Sequence, residues 1–370
     1  MKTSALVSFV SSVVWLASSC ASARPLPVRQ EAPRAAKSAP AESPPSGSPA
    51  DHLPAHIKRL TQFGERPDWS HDGKRILFLS KVFGDVYEYD LETGSLIPVT
   101  LHFRHYGFTR ALYLPGGDIL LSGPRAPFDE RDRADRERAR NGCELSVLSR
   151  TRRATPTPLG VLASEGPAVS RYRMRIAWAE TWRQRPDDLK DSETEIFVAE
   201  LTADAGTFAL TNKRKVLDSR QMGLRIHSLE TQNFVPPHDE ALTVTVYGFQ
   251  GTETYLLDLK TGVYTNQSQA PNDYDEAEGI FPDGLSTAVE SAPSRGSAWP
   301  LVDVYRLWLD GSGRKQQLTR FTDYPGYKAA QPIVSDDGRS LVFQMGRSGD
   351  EAGEGHGLFL LDLGAVPAVP

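Results

Sequence analysis

Residues 69 to 80 read WSHDGKRILFLS, and residues 334 to 345 read VSDDGRSLVFQM. In each phrase an Asp-Gly pair, Asp72-Gly73 or Asp337-Gly338, stands between residues that favour extended backbone. Glycine accepts positive φ and aspartate hydrogen-bonds its own backbone, so each pair predicts a tight turn and each phrase a β-hairpin. Weaker versions lie between them: TRALYLPGGDILLSG (109 to 123), PAVSRYRMRIAWAE (167 to 180), QNFVPPHDEALTVTVYG (232 to 248) and EGIFPDGLSTAVES (278 to 291). After each hairpin comes a third segment of alternating polarity: DVYEYDL (85 to 91), CELSVLS (143 to 149), TEIFVAEL (194 to 201), TETYLLDL (252 to 259), DVYRLWL (303 to 309) and GLFLLDL (357 to 363). Several are followed by a fourth, as in SLIPVT, GVYTNQS and RKQQLT.

The unit is thus a four-stranded antiparallel meander, repeated six times. Its first strands end at Ser70, Leu114, Ser170, Pro236, Pro282 and Ser335, at intervals of 44 to 66 residues. Four-strand units at such a period predict the blades of an all-β propeller; solenoid repeats are shorter or helical, and a sandwich gives no reason for a recurring four-strand phrase. The sixth unit lacks a fourth strand, since GAVPAVP follows Leu363. IKRLTQF (57 to 63) echoes RKQQLTRF (314 to 321), the fourth strand of the fifth unit. The expectation is a six-bladed ring whose last blade is closed by an N-terminal strand, which hides the open edges of an arc.

RPDWSHDGKRILFLS and QPIVSDDGRSLVFQM resemble the P-x-W-S-P-D-G-K repeat of WD40-like (PD40) propellers of the TolB-like group. The resemblance covers Ile57 to Leu363, strongly in the first and last units and weakly in the second to fourth. TolB itself has an N-terminal α/β domain, where this chain reads as a tether. QNFVPPHDEAL, YDEAEGIFPDG and FTDYPGYKAAQPIVSDDG are similar to exported bacterial propellers without an established activity, so the resemblance implies fold and leaves function open.

The chain has 370 residues, 27 prolines and a net charge of -5, with its basic residues dispersed among acids, which argues against a nucleic-acid partner. Lys2, the apolar run ALVSFVSSVVWLA (5 to 17) and the small residues after it read as an export signal over 1–23. Two processing routes fit: cleavage after Ala21-Ser22-Ala23, or a lipobox, imperfect at Ala17, that would lipidate Cys20. Residues 24–56, rich in Pro, Ala and Ser over Arg24 to Ala50, read as a tether, and 57–370 as the propeller. The expected location is periplasmic or anchored to the outer membrane, as a monomer touching the membrane only through a lipid anchor. Cys143 would be the sole remaining cysteine, read as a small buried residue.

In a closed meander ring, loops between blades share a face with loops joining strands two and three. The first set holds Glu65-Arg66, HFRHYGFTR (102 to 110), Glu165, Gln232-Asn233, YDEAEG (274 to 279) and GYKAAQ (326 to 331); the second holds insertions at 124 to 142, 181 to 193, 292 to 300 and 346 to 356. Insertions on one side of a repeat array mark its working face. His105, Arg110, Gln232, Asn233, Glu276, Glu278, Lys328 and Gln331 are therefore candidates for a polar ligand-binding ring around the channel mouth. They could equally satisfy one another and channel water.

DERDRADRERAR (129 to 140) reads as a solvated loop or short helix with internal ion pairs. Asp273, Asp275, Glu276 and Glu278 lack the spacing of a calcium loop, GRSGD (346 to 350) misses G-x-S-x-G, and no H-E-x-x-H occurs. No cofactor, metal or catalytic residue is expected. The function expected is a non-catalytic binding or scaffolding propeller of the cell envelope, engaging an envelope protein or a small polar ligand. The alternative is a carbohydrate-active lyase or hydrolase with a metal-assisted site at the channel mouth, for which His102, His105 and the acidic loop could serve.

Overall fold

The structure is a computed structural model that describes residues 45–163, 165–204, 206–293, 301–350 and 354–366. The expected leader, Cys20, the tether up to residue 44 and most of the 292 to 300 insertion lie outside the described residues. Among the described residues, no helix is long and apolar enough to cross a membrane.

The repeated phrase forms the hairpin its chemistry predicts, with the same bonds in both clear copies. Ser70 Oγ donates to Asp72 Oδ1 and accepts from Arg75 N, at 2.6 and 2.9 Å; Ser335 Oγ bonds Asp337 Oδ1 and Ser340 N at 2.6 and 3.0 Å. Gly73 and Gly338 take φ of 68° and 69°, a region that a side chain would strain.

After β1 (Ile57–Arg59), the first meander is β2 (Glu65–Trp69), β3 (Arg75–Leu79), β4 (Val86–Asp90) and β5 (Leu96–Pro98). The second is β6 (Arg110–Tyr113), β7 (Ile119–Pro124), β8 (Cys143–Leu148) and β9 (Thr157–Leu162), with helix α1 (Arg133–Asn141) inserted after β7. The third is β10 (Ala168–Val169), β11 (Arg175–Thr181), β12 (Thr194–Asp204) and β13 (Thr207–Asp218). Two further antiparallel sets follow: β14 (Ile226–Phe234), β15 (Ala241–Gly248), β16 (Thr252–Asp258) and β17 (Tyr264–Asn266), then β18 (Asp273–Ile280), β19 (Ser286–Pro293), β20 (Asp303–Trp308) and β21 (Lys315–Gln317). They join into one eight-stranded sheet through a single parallel pair, Thr252 with Tyr274. The last sheet is β22 (Tyr327–Val334), β23 (Ser340–Arg347) and β24 (Leu358–Asp362), completed by β1.

The sheets form an all-β propeller, each burying its apolar faces against the next. Leu77, Leu79 and Val86 pack on Ala111, Ile119 and Leu121; Leu120 and Val147 on Ile176 and Trp178; Ile196 and Val198 on Leu242 and Val244; Ala288 and Val304 on Phe343 and Phe359. The circle closes where Trp69, Ile76 and Phe78 meet Val342 and Leu358. At this seam β1 pairs antiparallel with β24, Ile57 opposite Leu361 and Arg59 opposite Phe359, and Leu60 N donates to Leu358 O at 2.8 Å.

Packing begins before Ile57. Within the segment read as tether, Ser48 caps a short 3₁₀ turn, Pro49–Asp51, and Ala50 and Leu53 lie against the core of the last two meanders. The alanines and prolines there mask a few apolar contacts that only the neighbouring sheet creates. Cys143 is buried, as its apolar setting suggests: its thiol meets Ala139 O at 3.4 Å, and burial pushes it up to about 12.

Candidate functional site: an axial throat beneath an open cavity

Aligning the meanders on the ends of their first strands puts one residue of each at the same step, four before the end: Arg66, Arg110, Gly166, Gln232, Glu278 and Gln331. All six line a narrow axial space of about 70 Å³. A β-bulge falls at this step in four of the strands, between Glu65 and Asp68, Thr231 and Asn233, Ala277 and Gly279, and Ala330 and Ile333. A bulge re-aims a side chain, and Arg66 and Gln331 take left-handed φ of 52° and 53° there. Gly166 belongs to the ring because a Cβ at that position would collide with the Glu230 side chain and the Thr231 carbonyl.

Above the throat opens a cavity of about 1200 Å³ that shares Arg66, Arg110 and Gln331 with it. Insertions supply part of its wall, Arg133, Arg136, Glu137 and Arg140 of α1, Trp182 and Arg183, and Asp350, and the strands and the turn at 248 to 252 supply the rest. The run at 129 to 140 therefore does more than form internal ion pairs. Asp132 caps the helix and Arg138 pairs with Asp135, while Arg140 reaches out of the run to Glu165.

Five carboxyl groups crowd the axial side. Strand alternation turns Glu276 towards the cavity and sends Asp275 to the other face, where Lys315 holds it at 2.7 and 2.9 Å. The acidic residues of β18 therefore do not share one metal site. Glu276 lies directly opposite Glu290 in the β18–β19 ladder, a like-charge pairing that two ionised groups would oppose. Burial pushes Glu276 and Glu278 well above the carboxylate range, with neighbouring carboxylates adding to the rise. Burial also raises Glu290, against Lys328 and the Gln331 hydrogen bonds, brings Glu230 to about 7, and brings Glu65, on the adjoining β2, to about 8.

Hydrogen-bond counting gives the same answer. The Tyr247 hydroxyl meets Glu230 Oε2 at 2.7 Å and Glu276 Oε1 at once, and Tyr274 donates to Glu276 Oε2. One phenol proton serves one of the two Tyr247 contacts, so the other requires a protonated carboxyl that donates to the phenol oxygen. Gln331 Nε2 donates to Glu278 at 2.6 Å and to Glu290 at 3.2 Å.

Of the residues expected at the mouth, Arg110, Gln232, Asn233, Glu278 and Gln331 line the throat, and Glu276 and Lys328 line the cavity. Asn233 also spans to the next meander, donating to Glu278 O at 3.0 Å. His105 lines neither space. Its Nε2 bonds Asp85 Oδ1 at 3.0 Å and its ring lies 4.8 Å from Phe108, because the turn before β6 folds it between the first two meanders. His102 is also away from the cavity, exposed beside Ala154 O. The candidate ring left out Arg66, Glu165, Tyr274 and Arg140, although their loops had been placed on the mouth face, and sequence reasoning did not single out Gly166, Glu230, Tyr247 or Glu290. The aligned step would have found Arg66 and Gly166; the others converge from separate meanders and have no common signal. Among the described residues, Asp350, Glu354 and His356 are the group that could hold a metal ion, their ligand atoms lying within 4.8 Å of one another.

No family model and no curated protein sequence matches the chain. Solved structures similar to it include a gluconolactonase from Xanthomonas campestris, 13% identical over 83% of this chain and 89% of that one, with a TM-score of 0.51. An oligogalacturonate lyase from Vibrio parahaemolyticus is 13% identical over 85% and 80% of the two chains, with a TM-score of 0.49. TolB from Acinetobacter baumannii is 13% identical over 81% and 66%, with a TM-score of 0.42. At these identities the likeness concerns the fold.

Proposed function

We propose that the chain is a six-bladed, TolB-like propeller of the cell envelope that binds a polar ligand, small molecule or protein segment, in the mouth cavity without transforming it. Counting six blades treats the two halves of the eight-stranded sheet as separate blades joined by one bridge. The observation that supports a binding role is the ring itself: one residue from each repeat at the throat, under a cavity walled in part by insertions. Repeat scaffolds concentrate function where insertions gather. Export through the leader, with or without lipidation of Cys20, would place this face in the envelope.

The test is ligand capture. Purified protein is incubated with an envelope extract, and bound small molecules and proteins are identified by mass spectrometry. A ligand retained by the wild type and lost from the Glu276→Ala/Lys328→Ala double variant supports the reading; equal retention by both places binding elsewhere.

Asp350, Glu354 and His356 favour a second reading, a metal-assisted lyase or hydrolase, because Asp350 also lines the cavity. His356 Nε2 lies 3.0 Å from Asp350 Oδ2, a pairing that a bound divalent ion would replace with coordination. Calorimetric titration with Mn²⁺ and Zn²⁺ tests it: micromolar binding lost in His356→Ala supports the metal site, and its absence removes it.

A further inference from the structure

Three guanidinium groups from different parts of the chain converge on one carboxylate at the cavity floor. Arg66 Nη1 of β2 lies 3.2 Å from Glu165 Oε2, Arg110 Nη2 of β6 lies 3.5 Å from the same oxygen, and Arg140 Nε of α1 pairs with Glu165 Oε1. All four residues line the large cavity. Arg66 and Arg140 share Glu165 as their ion-pair partner, while Arg110 also reaches Glu230, its Nη2 lying 3.6 Å from Glu230 Oε1. Burial raises Glu230 to about 7 and Glu65 to about 8, which weakens their hold on the guanidinium groups. Three donors in the cluster, Arg66 Nε on a side chain 4% exposed and Arg140 Nε and Nη2, are buried without a well-formed hydrogen bond, and so are two acceptors beside them, Glu65 Oε1 and Glu230 Oε1. A buried guanidinium N–H without an acceptor is costly, and a ligand oxygen placed among these donors would satisfy them. Glu165 is the most accessible of the four, its side chain 30% exposed against 22% for Arg140, and its residue lies outside any strand.

We propose that Arg66, Arg110 and Arg140 form a carboxylate-binding subsite of the mouth cavity, and that the Glu165 side chain is an internal stand-in for a carboxylate of the ligand. This rests on the cavity being the binding site, and it adds the chemical class: an acidic ligand whose carboxylate docks on the guanidinium cluster. A planar carboxylate accepts paired N–H bonds from guanidinium groups, among the strong charge-assisted pairings available to arginine. Glu165 competes for those donors, so its removal tightens binding and the removal of Arg140 weakens it.

The probe is glutarate, whose end group copies a glutamate side chain, titrated calorimetrically into the purified protein, with inorganic phosphate as comparator. Glu165→Gln is expected to bind glutarate about tenfold more tightly than the wild type, and Glu165→Gln/Arg140→Met about tenfold more weakly than Glu165→Gln. Arg138→Met, on the same helix but paired outward with Asp135, is expected to leave the Glu165→Gln affinity unchanged. Circular dichroism melting of each variant without probe verifies folding. The proposal is overturned by no saturable glutarate binding to folded Glu165→Gln, by an affinity indifferent to Arg140, or by phosphate bound more tightly than glutarate. Extract capture separates the two readings. If Glu276→Ala/Lys328→Ala loses the captured ligand while glutarate binding ignores Arg140, the cavity stands and the subsite falls; the reverse pattern keeps the guanidinium subsite and removes Glu276 and Lys328 from the binding site.

Discussion

Two carboxylate clusters in this protein are built from the same residue types and held in opposite states. On β12 and β13, Glu195 and Asp218 are surrounded by Arg185, Lys215 and Arg220: Arg185 and Arg220 reach Glu195 at 2.6 Å, and Lys215 bridges both acids at 2.8 and 3.0 Å. Hydrogen bonds led by Arg220 hold Asp218 well below the usual range; burial alone would raise Glu195, but the Lys215 and Arg185 bonds outweigh it. At the axis, Glu230, Glu276, Glu278 and Glu290 are pushed up, chiefly by burial, with tyrosine hydroxyls and an amide as their main partners. The difference lies in supply. Glu195 and Asp218 have three cations in direct contact, although Arg185 also serves Glu180 and Asp188 and Arg220 also serves Glu193, whereas the axial acids depend on the more distant Arg110 and Lys328. A carboxyl is therefore held towards its ionised form at the periphery and pushed towards its protonated form at the centre.

The largest effect should come from removing a cation at the axis. Arg110→Met leaves Glu165, Glu230 and Glu278 without their shared positive neighbour and should lower unfolding stability by about 3 kcal/mol, measured from urea midpoints. A loss as small as that of an exposed pair would mean that Arg110 is not coupled to the axial acids.

Next in size is the response to pH. Glu230 has an ordinary value of 4.5 and is raised to about 7 in the fold, so between these values the folded state binds more protons. Its contribution is fully present below 4.5 and disappears as pH rises through about 7. Asp218 and Glu195 act in the other direction, lending stability above the ordinary carboxylate value that disappears as pH falls. Melting temperature should therefore decline from pH 5 to pH 8 in the wild type, and this slope should flatten in Glu230→Gln. An unchanged slope in the variant contradicts the raised value.

Glu195 is buried, but its partners Arg185, Lys215 and Arg220 are 30 to 41% exposed and return to water when released, so Glu195→Gln should cost about 1 kcal/mol and less in 1 M salt. The smallest change belongs to Glu276→Gln at neutral pH, below about 0.5 kcal/mol. An amide can donate to the Tyr247 oxygen and accept from Tyr274, as the protonated acid does. If Glu276→Gln destabilised more than Glu195→Gln, the neutral axial carboxyl would be wrong.

How far the sequence was readable follows the same division between local and convergent features. The Ser-x-Asp-Gly turns, the third strands and the seam strand at 57 to 59 are local, and their residues carry the pattern. β9 and β13 were not read. TPTPLGVL carries two prolines, and the TNKRK stretch of β13 is polar because that strand is largely exposed, so neither shows the alternation that marks a half-buried strand. The throat was partly legible because it is one step of the repeat. His105 failed because membership of a mouth loop does not fix the direction of a side chain, and Asp85 and Phe108 claimed this one.

The sequence by itself determined the repeating meander, its turn chemistry and the strand that closes the last sheet, because each depends on backbone preferences and alternation within a few residues. Only the tertiary structure decided which acids are pushed towards their protonated form, that Arg140 leaves its charge run for Glu165, and that residues 48 to 53 pack instead of hanging free. Those outcomes depend on burial and on the distance to partners 25 residues away for Arg140 and 297 for Ser48, quantities that exist only once the sheets have come together.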